Sequence, residues 1–286
     1  MQAVASLFVA STHAYVGPVD EGLAMADRAL AITEVDPNRG TAFLGCSVVG
    51  RTWHMRAELF LLAGQPAQAR REMERALALH RERRELAFIA FEMPIYARLS
   101  DLTGTDHDAE AHAVEATRLA EESGAGVPLI MAREARGVAA LLAGRSEEAA
   151  AELADTLAQA RDRQLSRWIE PSLLAYLARA RDALGDADAA HAAANEAVAV
   201  ARRQGARVSE VLALLVRGRV CAERDDLHAA LALAATTGAI AYEPFCLEEL
   251  ARLDGNRVAL AAAAERFGAL GADGHHRRLG TELSRW

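Results

Sequence analysis

Lysine is absent from this sequence: all 32 of its Lys/Arg residues are arginine. That excludes a Schiff-base lysine and the Gly-Lys-Ser/Thr ending of a Walker A phosphate loop. Cysteine is scarce. Cys46, Cys221 and Cys246 lie far apart without a C-x-x-C pair, so neither a disulfide framework nor a zinc knuckle is expected, and a reducing cytoplasm fits best. Each is read as an ordinary thiol rather than a nucleophile. Aromatic residues make up only 5 %, and no apolar run alternates with period two, which argues against strands. No apolar run reaches the ~18 residues that a membrane-spanning helix needs. The opening MQAVASLFVASTHAY lacks the positive leader of a secretory signal and reads as a first helix.

Motifs that would name a chemistry are missing too. There is no H-E-x-x-H, no nucleophile elbow and no glycine-rich phosphate loop. The nine histidines do not assemble by spacing: His107 and His112 are five apart, and His275 and His276 are adjacent in a polar tail. No metal or other cofactor is expected. The formal net charge of −8 argues against a phosphate backbone as direct partner, because that affinity comes from clustered cations.

What the chain has is a repeat. A turn glycine is followed five positions on by a small residue, and twelve and thirteen positions on by a small and a bulky apolar one. GQPAQARREMERALAL shows it best, with Gly64, Ala69, Ala76 and Leu77. The same frame places turns near 17, 64, 104, 144, 185, 225 and 255, a period of about 40 within the range of helical-hairpin repeats. Positions five, nine, twelve and thirteen share one face of a 3.6-residue helix. Small residues there let the two helices of a hairpin approach closely. Seven positions before the turn stand Ala57, Ala97, Gly137, Ala178 and Gly218, again small.

The expected fold is therefore all-α. It is a right-handed superhelical array of about seven antiparallel helix pairs over residues 1–286, with 272–286 as a C-terminal tail or helix. Trp53, eleven before its turn, is expected in the core; Trp168, just ahead of Pro171, is a candidate for covering a groove edge.

Counted this way, the hairpins look like tetratricopeptide repeats. Segments such as LLAGRSEEAAAELADTLAQAR (141–161) and LDGNRVALAAAAERFGALGA (253–272) resemble the repeat region of the large ATP-binding LuxR-type, MalT-like transcriptional regulators of actinobacteria. The resemblance implies a module that receives an inducer or a partner protein. The ATPase and helix-turn-helix modules that flank such repeats in those regulators are missing from this sequence.

In tetratricopeptide arrays the first helices line the concave face. Carried over, that face comprises Arg51, His54, Glu58, Arg98, Asp101, Glu134, Arg179, Asp182, Arg219, Tyr242 and Phe245. Its arginines offer planar donors for an acidic peptide or a small anion, or pair with neighbouring acids to solvate a helix face. The function expected is a binding module that takes a peptide, a protein segment or a small effector, with self-association through the array ends as a further option. The rival is an enzyme whose site is enclosed by the array, with Glu134, Asp101, Asp182 and Tyr242 as acid–base groups.

Overall fold

The computed structural model describes residues 1–285, so Trp286 lies outside the described residues. Among them the chain is all helix and turn, in consecutive antiparallel pairs. α1 (Gln2–Val16) pairs with α2 (Val19–Glu34). After the short α3 (Thr41–Leu44), α4 (Val48–Leu62) pairs with α5 (Pro66–Glu82). In the third hairpin the first helix is broken at Met93-Pro94 into α6 (Leu86–Glu92) and α7 (Ile95–Thr103), which pack on α8 (Ala109–Ser123). Proline has no N–H for the helix ladder, and its ring crowds the preceding turn. The next pairs are α9 (Gly126–Leu142) with α10 (Ser146–Asp162), α11 (Glu170–Ala183) with α12 (Ala187–Gln204), and α13 (Arg207–Val220) with α14 (Arg224–Thr237). α15 (Glu243–Leu253), α16 (Arg257–Ala269) and α17 (Asp273–Leu283) complete the array.

One cap ends the first helices of five hairpins. The residue after the turn glycine donates its N–H to the carbonyl five residues back: Gln65 to Phe60 at 2.8 Å, Arg145 to Ala140 at 2.9 Å, Asp186 to Arg181 at 3.0 Å and Asn256 to Ala251 at 2.9 Å. This is the Schellman arrangement, which needs a left-handed residue just beyond the helix. In the sixth hairpin the bond runs from Glu223 to Gly218 at 2.9 Å, and Ala222 takes the left-handed position at φ +56°. That turn is Cys221–Glu223, and Asp225 lies inside α14.

The small residues of the frame are core residues. Ala29, Ala76, Ala116, Ala149, Ala190 and Ala197 are all buried, and a Cβ on Gly137 would lie 2.6 Å from Leu153 Cγ. Trp53 is only half-buried, with the Arg75 guanidinium 4.5 Å from its ring, so its place at a packing position gives it a flank rather than the core.

The array curls until its ends meet its own middle. α1 packs on α13, and a Cβ on Gly17 would stand 2.8 Å from the backbone of Thr237. One hairpin further on, Gly64 faces Leu270; the next turn, at Gly104, lies against the backbone of Gly274 and His275. His275 Nε2 reaches the Asp101 carbonyl at 2.8 Å, and α17 rests on α7. The superhelix thus completes a full turn within the chain. Its inner face, which an array with a wider curl would leave as an open groove, is closed around the axis.

Candidate functional site

Two cavities lie on that axis, and the first helices of the hairpins supply most of their walls. The first, of about 70 Å³, is lined by Glu58 from α4, Arg98 from α7, Glu134 from α9, Ser172 and Tyr176 from α11, and Tyr15, Trp168 and Tyr242. The second, of about 140 Å³, is lined by Asp101, Arg179, Arg219, Tyr242, Phe245, Glu248, His275 and Arg278 among others. Tyr242 and Leu212 belong to both linings, so a thin partition separates them.

Prolines place several of these residues. Pro94 itself lines the first cavity. Pro171 and Pro244 sit in the first turns of α11 and α15, where a missing N–H is harmless, each preceded by a single 3-10 turn, Arg167–Ile169 and Ile240–Tyr242. Those turns carry Trp168 and Tyr242 to the axis. Glu92-Met-Pro94, Glu170-Pro171 and Glu243-Pro244 are the sequence signal for these inner corners.

The charged groups are largely paired with one another. Arg98 Nη2 bonds Glu58 Oε1. Arg179 holds Asp101 through two bonds of 2.8 Å, and the Tyr176 hydroxyl donates to the same carboxylate at 3.0 Å. Burial would push the Asp101 carboxyl up, but Arg179 and Tyr176 outweigh it and hold it below the ordinary carboxylate range. The arginines therefore do not form a row of free anion-binding forks: Arg98 and Arg179 are taken by carboxylates from other hairpins. Arg219 is half-exposed and stands 3.8 Å from Glu249.

Glu134 differs from the others. Ser172 Oγ lies 2.5 Å from its Oε1, and no cation stands within ion-pair distance of it among the described residues. Burial, helped by Glu58 and opposed by Ser172 and Arg98, pushes its carboxyl up to about 7.

The sequence-derived set is thus divided. Glu58, Arg98, Glu134 and Tyr242 meet at the first cavity; Asp101, Arg179, Arg219, Tyr242 and Phe245 meet at the second. Arg51 and His54 line neither. Arg51 lies 3.3 Å from the wholly buried Glu92 with its guanidinium 4.5 Å from the Phe91 ring, and burial pulls the His54 imidazole down to about 3. They belong to a buried polar cluster between the second and third hairpins that also holds His80. Asp182 is exposed at the end of α11, away from the axis. Residues not anticipated are Tyr15, Ser172, Tyr176, His275 and Arg278; Trp168 borders the first cavity.

No protein-family model matches the chain, and neither does any curated protein. Solved structures do match its fold. A Rap protein complexed with competence and sporulation factor aligns at a TM-score of 0.56 and 12 % identity, covering 99 % of both chains. The apo form of RapI aligns at 0.58 and 12 %, covering 99 % of this chain and all of that one. The chain has the Rap-like, tetratricopeptide-like all-helical fold.

Proposed function

We propose that this chain is a receptor module without enzymatic activity, and that it receives its effector on the superhelix axis, in the cavity of Glu58, Arg98 and Glu134. One observation carries the reading: every hairpin from the first to the last directs a charged or hydroxyl side chain into a single cavity, at sites where apolar residues would pack more simply. A Rap protein of the same fold was crystallised with competence and sporulation factor, which supports a binding role for this kind of array. The LuxR-type resemblance of residues 141–161 and 253–272 supports the finer reading, the sensing part of a transcriptional regulator.

The cavity's size decides between ligands. About 70 Å³ holds roughly five waters' worth of ligand. A small effector fits as the array stands, whereas a peptide or protein segment needs the array to open. The enzyme reading draws on Glu134, whose carboxyl near 7 suits acid–base work.

The test is ligand-induced thermal stabilisation across small amines, carboxylates and alcohols, measured on the chain and on Ser209→Phe, in which a lining residue of α13 is enlarged to fill the cavity. Stabilisation of the unaltered chain alone supports the reading. If no compound separates the two proteins, the axial site is wrong.

A further inference from the structure

The hydrogen bonds around Glu134 set the charge state of the first cavity. Ser172 Oγ lies 2.5 Å from Glu134 Oε1 and 2.8 Å from the carbonyl oxygen of Ile169, but a hydroxyl has one proton to give. An ionised Glu134 and the carbonyl would compete for it. A protonated Glu134 removes the conflict, because the carboxylic acid donates to Ser172 and Ser172 donates to Ile169. The raised carboxyl agrees with that arrangement. Among the described residues the other oxygen, Oε2, has no partner, and it stays accessible on the cavity.

The rest of the lining says what would draw the proton off. Glu58 balances the charge of Arg98 through Nη2, so an anionic ligand meets no uncompensated cation in the lining. Of the two lining carboxylates, Glu58 and Glu134, only Glu58 has a cationic partner among the described residues, and the aromatic rings of Tyr15, Tyr176, Trp168 and Tyr242 stand around the same space. An acidic group among aromatic faces favours a positive charge, through ion pairing and through attraction to the rings.

We propose, resting on the reading of this cavity as the ligand site, that it binds a small organic ammonium ion in exchange for the proton of Glu134. On binding, Glu134 releases its proton to solvent and accepts the ammonium at Oε2, while Ser172 turns its single proton to Oε1. Net charge in the cavity is unchanged by the exchange, which spares the buried site the cost of an added charge. The groups that face Glu134 are Glu58 of α4, Arg98 of α7, Tyr176 of α11, Tyr15 of α1 and Tyr242. Burial holds the Tyr242 hydroxyl at about 12 and pushes those of Tyr15 and Tyr176 above their ordinary value, so the phenols stay neutral.

The test is calorimetric titration of the full chain at about pH 6, in two buffers of different ionisation enthalpy. The probes are tetramethylammonium, propylammonium, tert-butanol as a neutral alcohol of similar bulk, and propionate, all of five heavy atoms or fewer. At least one ammonium probe should bind about tenfold or more tighter than the neutral alcohol, with close to one proton released. In Glu134→Gln, its fold checked by circular dichroism, the affinity should fall about tenfold and the proton release vanish. Ammonium binding no tighter than that of the alcohol, or without proton release, overturns the proposal, as does failure of both ammonium probes. If propionate or the alcohol then binds the chain but not Ser209→Phe, the ammonium assignment alone is lost. If no probe separates those two proteins, the cavity as receptor site falls with it.

Discussion

Arg179 grips Asp101 through two parallel hydrogen bonds, Nη1 to Oδ2 and Nη2 to Oδ1, both 2.8 Å long, across 78 residues of chain. The pair joins the third hairpin to the fifth and walls the second cavity. Its bidentate geometry is the strong form of a carboxylate–guanidinium contact.

Breaking that pair from one side leaves a buried charge without a partner. Asp101→Ala should lose about 3–5 kcal/mol of unfolding free energy in urea, and Asp101→Leu with Arg179→Met should recover most of it. A single exchange that changes stability by less than about 1 kcal/mol would mean the pair is wet and loose. Removing Arg98 and Arg179 together should unfold the chain rather than silence a binding face, since each partners an interior carboxylate.

The seam has a glycine on each side. A Cβ on Gly274 would run into the carbonyl of Gly104, and no side-chain rotation relieves a clash with backbone. Gly274→Ala should part α17 from α7 and raise the radius of gyration in small-angle scattering while helical content stays near that of the parent. An unaltered radius would show that the seam is not closed in solution.

Burial ranks the aromatic residues for stability. Phe267 is fully buried and meets Phe245 edge-on with centroids 4.8 Å apart, so Phe267→Ala should cost about 3–5 kcal/mol. Trp53 lies half-buried under Arg75, and Trp53→Ala should cost roughly 1–2 kcal/mol. Chemical denaturation of the two variants side by side checks the order, and a reversal would mean that the repeat register is misjudged.

His80 gives stability a pH dependence. Burial alone would lower its imidazole, but Glu92, whose Oε1 is 3.1 Å from Nε2, and Glu85 outweigh that and raise it. The folded state therefore binds the proton more tightly than the unfolded chain. This contribution is complete below the unfolded value of 6.5 and is lost as pH rises through the higher folded value. His80→Gln should flatten the alkaline side of a stability profile measured from about pH 6 to 9. A profile that keeps its slope would show that His80 does not titrate against Glu92.

The helix pairs were legible because they are local. Gly64, Ala69 and Ala76 specify a turn and a packing face within a dozen residues, and periodicity reports such things well. Gly64, Gly104, Gly144 and Gly185 accordingly stand in inter-helix turns, whereas the sixth turn sits at Ala222, a residue with no turn signature. The tetratricopeptide register also put Glu58, Arg98 and Glu134 on inward positions. It could not show that they would meet each other. That depends on the curl of the whole array, fixed by contacts such as His275 with Asp101, 174 residues apart. For the same reason the repeat frame does not mark Tyr15 and Tyr176, points Asp182 inward although it lies outside, and sets Arg51 and His54 on the axis rather than in the cluster around Glu92.

A linear solenoid frays: each repeat touches only its neighbours, so end units melt first and a truncation costs little beyond the unit removed. The contact of α1 with α13, and of α7 with α17, makes this chain behave as a loop of units in which the first and last copies are also interior ones. Its hydrogen exchange should then be lost in one concerted event rather than from the termini inward. Deleting α17 should loosen the third hairpin, some 170 residues upstream, as much as the copy beside it.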